Sequence, residues 1–172
     1  MLALAAPAGV SLLVEIKTPG QDVCYERRGE QAVAVPGPRY EGLERKVLDA
    51  LRGAGVAERS FVMAFNPAVL AEVRALVPAQ ATTLLVDRRH VVDSGARPTD
   101  TVAWAIEARA SFVGIHYSLC DADVVAAAHA AKIAVGVYTV NDEATMRRLA
   151  GLGVDVIITD RADLVTRLQT EE

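Results

Sequence analysis

The chain has 172 residues, 52% of them apolar and 5% aromatic, which is enough for one domain with a hydrophobic core. Its formal net charge of −4 argues against nucleic acid or an anionic membrane as a partner, and no apolar stretch approaches the roughly 20 residues that span a bilayer. The two cysteines, Cys24 and Cys120, lack companion ligands and are expected to be reduced thiols, which fits a cytoplasmic location.

The first predicted strand, residues 11–17, ends in two opposite charges. It follows a short apolar segment, residues 1–10, which lacks the basic start of a signal peptide and reads as a helix end followed by a turn at 7–9. Side chains alternate along a strand, so Glu15 and Lys17 point to the same face. This arrangement suits a site for a metal ion and a phosphate, and it equally suits an ordinary ion pair.

A long connection follows this strand, from Thr18 to Pro38. It is polar at first and is interrupted by proline and glycine, and residues 33–35 could add a short strand or β-arm. Long loops in compact α/β domains are often functional, but they can also be tolerated insertions. The sequence leaves both interpretations open.

Strand and helix patterns alternate along the rest of the chain. Further strands are predicted at 60–65, 82–87, 111–115, 133–138 and 154–158, and helices at 39–53, 67–77, 99–109, 121–131, 142–151 and 161–169. Asn66-Pro67 opens a helix, Asp121 and Asn141 are N-cap candidates, and Gly153 closes a helix. This alternation predicts six right-handed βα units around a parallel sheet, in one domain that covers residues 1–172.

Polar and aromatic residues gather at the predicted carboxyl ends of the strands, where parallel α/β folds bind ligands. They include Glu15, Lys17, Phe65, Asp87, His116, Tyr138, Asn141 and Asp160. Helix N-caps occupy the same edge of the sheet and favour several of the same residue types, so the clustering alone does not establish a site.

The three histidines differ in their predicted surroundings. His116 follows a strand and is a candidate pocket residue, as is Asn141 at the next strand end. His90 lies in a predicted polar loop and is expected to be solvated. His129 lies in an apolar helix and is expected to be a surface or packing residue.

Several segments follow one another in an order and spacing that indicate a family. They are Leu12–Lys17, Ser60–Leu70, Val113–His116, Ala134–Asp142 and Gly153–Arg161. Together they resemble the glycerophosphodiester phosphodiesterase family, with its L-x-x-E-x-K strand and its W-T-V-N and G-V-D-G-I-I-T-D segments. Tyr138, Val156 and Ala162 stand where the family has Trp, Gly and Pro.

The resemblance implies a TIM-barrel (β/α)8 fold and a phosphoric diester hydrolase. Glu15 would be a ligand of a divalent cation, Ca²⁺ or Mg²⁺, and Lys17 would contact the substrate phosphate. Phe65 and Tyr138 would line the glycerol side of the pocket. The implied chemistry is metal-assisted hydrolysis of a glycerophosphodiester, with a histidine pair as general acid and base, releasing sn-glycerol 3-phosphate and an alcohol.

The chain departs from the family in its first motifs. The family's His-Arg-Gly run, its Glu-x-Asp pair and the histidine after them are absent, and the histidines present do not match these positions. Eight βα units typically need about 250 residues. The sequence therefore predicts an incomplete barrel, truncated at its N-terminus, with open edges at strands 11–17 and 154–158. Such edges could pair with another copy or a separate fragment, or curl towards each other.

Three hypotheses for function remain open. The chain could be part of a working phosphodiesterase and inactive by itself, because one carboxylate cannot supply the six or more oxygens that Ca²⁺ or Mg²⁺ prefers. It could be a catalytically degenerate module for phosphate binding or assembly. It could also be a different α/β protein that resembles the family by convergence.

Overall fold

The fold is built on a parallel sheet that is curled but not closed. The computed structural model describes residues 2, 6–20 and 23–169. In spatial order the sheet contains β1 (Leu12–Glu15), β4 (Ser60–Ala64), β5 (Thr82–Val86), β6 (Phe112–His116), β7 (Ala134–Tyr138) and β8 (Val156–Ile157). A separate antiparallel hairpin contains β2 (Val23–Arg28) and β3 (Gln31–Pro36). The edges of the large sheet are β1 and β8, as predicted.

Each strand of the large sheet leads into at least one helix, so the predicted six βα units are confirmed. The helices are α1 (Leu43–Gly53), α2 (Pro67–Leu76), α3 (Arg88–Ser94), α4 (Asp100–Glu107), α5 (Ala122–Ala130), α6 (Glu143–Leu152) and α7 (Ala162–Gln169). Asn66 and Asp121 cap α2 and α5, accepting hydrogen bonds from backbone N–H groups within the first turn. The prediction that Asn141 caps α6 is wrong, because Asp142 does so, accepting from the N–H of Thr145 at 2.8 Å.

The core lies between the sheet and the helices. The strand side chains on the helix side are 0% exposed: Val62, Ala64, Val86, Val113, Ile115, Val135 and Val137. The opposite, concave face is filled at its centre, where Gly114 and Gly136 leave room for neighbouring side chains. A Cβ on Gly136 would lie 2.5 Å from the ring of Phe112, and one on Gly114 would lie 2.7 Å from Leu85 Cδ2.

The connection from 18 to 38 is more structured than the sequence predicts. Instead of one short strand at 33–35 it forms the β2–β3 hairpin, which turns at Gly29, where φ is +66°. Its return segment is fastened to α2, because the Asn66 side chain donates to the carbonyl of Gly37 at 2.9 Å. The sequence gives little sign of the first strand because it ends in three exposed charged residues, Glu26, Arg27 and Arg28.

Helix α3 and the burial of His90 contradict the predicted polar loop. His90 is only 4% exposed, and its Nδ1 accepts the N–H of Asp87 at 3.1 Å. In return, the Asp87 side chain accepts the backbone N–H of His90, which completes a capping box, and it also accepts the N–H of Arg89 at 3.0 Å. The prediction of a solvated His90 is wrong because rings from other parts of the chain, Tyr25 and Phe65, cover it.

The remaining local predictions concern the first residues, His129 and the cysteines. The turn at 7–9 is present, whereas most of the predicted helix end before it lies outside the described residues. His129 is on the surface of α5, where Nε2 lies 3.0 Å from an Asp155 carboxylate oxygen. Both cysteines are free, and burial raises the pKa of the Cys120 thiol to about 11. Within the described ranges, no helix is long and apolar enough to cross a membrane.

Candidate active site

Glu15 and Lys17 lie on the same side of the chain at the end of β1, as the strand spacing predicts. The Nζ of Lys17 is 3.1 Å from Glu15 Oε1. The Lys17 side chain is 80% exposed and that of Glu15 is 26% exposed. The pair therefore carries opposite charges at an accessible edge of the sheet, where water weakens their mutual attraction.

An aromatic wall, formed by Phe65, His116 and Tyr138, stands at the ends of β4, β6 and β7. The Tyr138 ring meets Phe65 at a centroid distance of 6.2 Å and an interplanar angle of 86°, and meets His116 at 6.3 Å and 85°. Both contacts are edge-to-face, a favourable geometry for aromatic rings. The structure thus brings together three residues that the sequence analysis placed at separate strand ends.

The hydroxyl group of Tyr138 is buried and has no hydrogen-bond partner among the described residues. Burial raises the pKa of Tyr138 well above its usual value, and the carboxylates of Asp87 and Glu15 raise it further, with Arg89 opposing them. The phenol therefore stays protonated at neutral pH. It offers a hydrogen-bond donor in a part of the site that both carboxylates influence.

His116 has a defined tautomer when its ring is neutral. Its Nδ1 accepts the backbone N–H of Ser118 at 3.3 Å and lies 2.8 Å from the Ser118 hydroxyl oxygen. The proton of the neutral ring is therefore on Nε2, which is a second potential donor. His116 also borders an open cavity of about 360 Å³ with Asp87 and Arg89. Arg89 was not predicted from the sequence, because two adjacent arginines are typical of a solvated surface pair.

Asn141 is engaged in a hydrogen-bonded bracket that joins the ends of β7 and β8. Its Nδ2 donates to Asp160 Oδ2 at 3.0 Å, and its Oδ1 accepts from the N–H of Asp160 at 2.9 Å and from the hydroxyl of Thr159 at 3.1 Å. Both polar atoms of the predicted pocket residue are therefore used to hold two strand ends together.

The described residues do not fit a complete divalent-cation site. Among them there is no group of three or more His, Cys, Asp or Glu side chains that could hold a metal ion. Glu15 offers one carboxylate, paired with Lys17, whereas Ca²⁺ and Mg²⁺ prefer six or more oxygen ligands.

The order of these segments along the chain matches a known family. Residues 10–164 match the model of the glycerophosphoryl diester phosphodiesterase family. The chain belongs to this family. The resemblance predicted from the motifs is confirmed, and convergence from an unrelated α/β protein is not the explanation.

One curated relative is a glycerophosphodiester phosphodiesterase from Bacillus altitudinis. It is 28% identical over 134 residues, which make up 77% of this chain and 52% of the relative. The chain therefore spans about half the length of the curated relative it matches.

Solved structures support the barrel fold. A Silicibacter pomeroyi protein named as a glycerophosphoryl diester phosphodiesterase aligns with a TM-score of 0.74 and 23% identity, covering 96% of this chain and 55% of that chain. A phosphodiesterase from Oleispira antarctica, solved with the product sn-glycerol-3-phosphate, aligns with a TM-score of 0.56 and 18% identity, covering 92% and 85%. The fold is a TIM barrel that is incomplete in the described residues, as predicted.

Proposed function

We propose that this chain carries the substrate-binding side of a glycerophosphodiester phosphodiesterase, an enzyme that hydrolyses a glycerophosphodiester to sn-glycerol 3-phosphate and an alcohol. One observation carries the proposal: the Glu15–Lys17 pair and the aromatic wall occur at strand ends of the same sheet in a member of this family. The product bound in the Oleispira antarctica phosphodiesterase fits this assignment.

The roles of the side chains follow from their chemistry. Lys17 holds the substrate phosphate, because its ammonium group is exposed and a phosphate can reach it. Phe65 and Tyr138 form the surface for the glycerol part. The Nε2–H of His116 is a donor that can meet the oxygen atoms of the substrate, whereas the buried Tyr138 hydroxyl would reach them only after a movement of neighbouring side chains.

Catalysis needs more than these residues supply. Glu15 is proposed as one ligand of a divalent cation, but the described residues form no metal-binding group of three or more side chains, and the histidines do not match the family's acid–base positions. This leaves the remaining ligands and the general acid unassigned. They would have to come from another polypeptide or from parts of the protein outside this structure. We therefore expect the 172-residue chain by itself to bind the product without measurable turnover.

A second candidate is a catalytically degenerate module of the same fold, which binds phosphate or assembles with a partner. The small number of metal ligands among the described residues favours it. The open edges at β1 and β8 offer sites for pairing with a second copy or with a separate fragment. Both candidates predict binding of a phosphate ester, and only the first predicts activity once the missing ligands are restored.

The decisive experiment combines an activity assay with a binding measurement on the purified chain. Glycerophosphocholine is incubated with Ca²⁺ or Mg²⁺, with and without a chelator, and sn-glycerol 3-phosphate release is measured. Calorimetry measures binding of added sn-glycerol 3-phosphate. We expect binding and no release. Release that the chelator stops would exclude the degenerate module, and an absence of binding would contradict both candidates.

A further inference from the structure

We propose that the β2–β3 hairpin is a positioning element for the aromatic wall and that Tyr25 acts through His90. This inference rests on the proposed function, in which the wall contacts the ligand. The hairpin belongs to the long connection that the sequence left open as either functional or a tolerated insertion. The structure links it to the wall through a continuous series of ring contacts.

The ring series begins on α4 and ends at the wall. Tyr25 stacks on Trp104 with centroids 3.7 Å apart and an interplanar angle of 22°. Tyr25 also contacts His90 at 5.4 Å, and His90 contacts Phe65 at 5.8 Å. Phe65 in turn meets Tyr138. The three contacts from Tyr25 to Tyr138 lie within the roughly 4.5–7 Å range of favourable aromatic pairs, and the Tyr25–Trp104 stack is closer.

Tyr25 is the main anchor of the hairpin. It is 6% exposed, and the strand beside it accepts a hydrogen bond at the Ala32 carbonyl from Trp104 Nε1 at 2.7 Å. Arg27 adds one more contact, donating to the carbonyl of Gly95 at 2.8 Å. Beneath the hairpin, a groove of about 300 Å³ separates part of it from α2 and α4. The hairpin also packs against α2, α3 and α4, and within this packing the Tyr25 ring contacts both Trp104 and His90.

The ring of Tyr25, rather than its hydroxyl, supplies this anchor. The hydroxyl is buried without a hydrogen-bond partner among the described residues, and burial raises the pKa of Tyr25 so that it stays protonated. A phenylalanine would keep both ring contacts. The pair Tyr25→Ala and Tyr25→Phe therefore separates removal of the ring from removal of the hydroxyl.

His90 transmits the position of the hairpin to the site. Its Nδ1 accepts the N–H of Asp87. The negative charge of the Asp87 carboxylate in turn raises the pKa of Tyr138. Tyr25 and Phe65 both contact the His90 ring, so loss of Tyr25 removes one aromatic contact from this ring. The consequence is a weaker hydrogen bond at Asp87 and a less fixed Phe65.

The test compares Tyr25→Ala and Tyr25→Phe in the full chain. Hydrogen exchange of the Asp87 amide, measured by NMR, reports the position of His90, and the emission of Trp104, the single tryptophan, reports docking of the hairpin. Calorimetry with sn-glycerol 3-phosphate measures the affinity of the site that the aromatic wall lines. For Tyr25→Ala we expect Asp87 exchange to quicken and affinity to fall, each roughly two- to tenfold, the effect of losing aromatic pairs. Tyr25→Phe should keep both the Asp87 exchange rate and the affinity at their wild-type values.

A control variant separates positioning from general destabilisation. Met146→Ala truncates a side chain that is 0% exposed on α6, outside the ring series, and should lower the unfolding temperature without changing Trp104 emission or Asp87 exchange selectively. Should Tyr25→Ala fail to fold, Arg27→Ala is the milder variant, because it removes the hydrogen bond to Gly95 and the charge near Asp100 but leaves the Tyr25 ring in place.

Two outcomes would overturn the inference. One is wild-type Asp87 exchange in a folded Tyr25→Ala protein. The other is faster Asp87 amide exchange with unchanged affinity for sn-glycerol 3-phosphate. That result would mean that the hairpin stabilises α3 but does not position the aromatic wall. If the wild-type chain does not bind sn-glycerol 3-phosphate, the proposed function fails, and Asp87 exchange still decides whether the hairpin fixes His90.

Discussion

At the scale of single residues, exposure limits what the Glu15–Lys17 pair contributes to stability. Exposed ion pairs are typically worth about 0–1 kcal/mol, because water screens the charges and both side chains lose freedom. With Lys17 80% exposed, the pair belongs to this class. Its proposed functional contribution is to place the Lys17 ammonium group at the same strand-end edge of the sheet as the aromatic wall.

We predict that Lys17→Gln and Glu15→Gln each change the free energy of unfolding by less than about 1 kcal/mol, measured by urea titration. Lys17→Gln should weaken sn-glycerol 3-phosphate binding roughly tenfold, since a charged hydrogen bond is lost. Lys46→Gln, at an exposed position on α1, is the matched control and should bind like wild type. A Glu15→Gln chain that fails to fold would favour the structural ion-pair interpretation instead.

The acid sensitivity of the chain should depend partly on Asp155. Burial by itself would raise the pKa of this carboxyl group, but the N–H of Val135 at 2.7 Å and the ring of His129 hold it below its usual value. A lowered pKa in the folded state stabilises the protein above the unfolded-state value of about 3.9. That stabilisation is lost as the pH falls towards and through the lowered value.

We predict that the free energy of unfolding falls with decreasing pH below about 4 and that Asp155→Asn makes this fall shallower. Denaturant titrations at a series of pH values measure it. Asp123→Asn, at an exposed position on α5, is a control that should keep the wild-type slope. If Asp155→Asn loses stability with falling pH as steeply as the wild type, the hydrogen bonds to Asp155 do not contribute to acid sensitivity.

At the scale of elements, a side chain on the neighbouring strand explains a glycine in β7. The ring of Phe112 on β6 occupies the space that a Cβ on Gly136 would need, at 2.5 Å. We predict that Gly136→Ala lowers stability by about 1–3 kcal/mol, the usual effect of overpacking. Phe112→Leu in the same chain should recover part of this loss.

A double-mutant cycle from thermal or denaturant unfolding tests this coupling. Gly151→Ala on α6, where a Cβ would meet nothing within 4 Å, is the matched control and should cause little loss. Additive effects of Gly136→Ala and Phe112→Leu would contradict the proposed contact.

Elements with strong local signals are placed by the sequence to within a few residues. The strand at 133–138 is found at Ala134–Tyr138, and the helix at 121–131 at Ala122–Ala130. Both combine a run of apolar residues with a cap or glycine. Helix α3 escaped prediction because it is short and begins with two arginines, and its burial depends on Tyr25 and Phe65.

At the scale of the whole molecule, the curled sheet exposes part of its concave face. Among the described residues, β1 and β8 each have one neighbouring strand, and a closed TIM barrel needs eight strands where this sheet has six. Near β1, Leu13 is 38% exposed and Phe61 and Met63 are half-buried, although equivalent positions in the middle of the sheet are buried. An apolar surface beside an unpaired strand edge favours association.

We predict concentration-dependent self-association of the 172-residue chain in light scattering, and a shift towards monomer in Leu13→Lys. The added charge would have to be desolvated if this face were covered. Ile106→Lys, at a position 52% exposed on α4, is the matched control and should associate like wild type. A wild-type chain that is monomeric at all concentrations would contradict this prediction.

The sequence by itself determined the family, the six βα units and the shared face of Glu15 and Lys17. These follow from strand and helix periods and from the spacing of residues close in the chain, which local physics governs. Only the tertiary structure decided the burial of His90, the docking of the hairpin, the bracket at Asn141 and the surroundings of the Tyr138 hydroxyl. Each of these depends on residues that are distant in sequence and meet only when the strands pair and the helices and hairpin pack, so no local pattern encodes them.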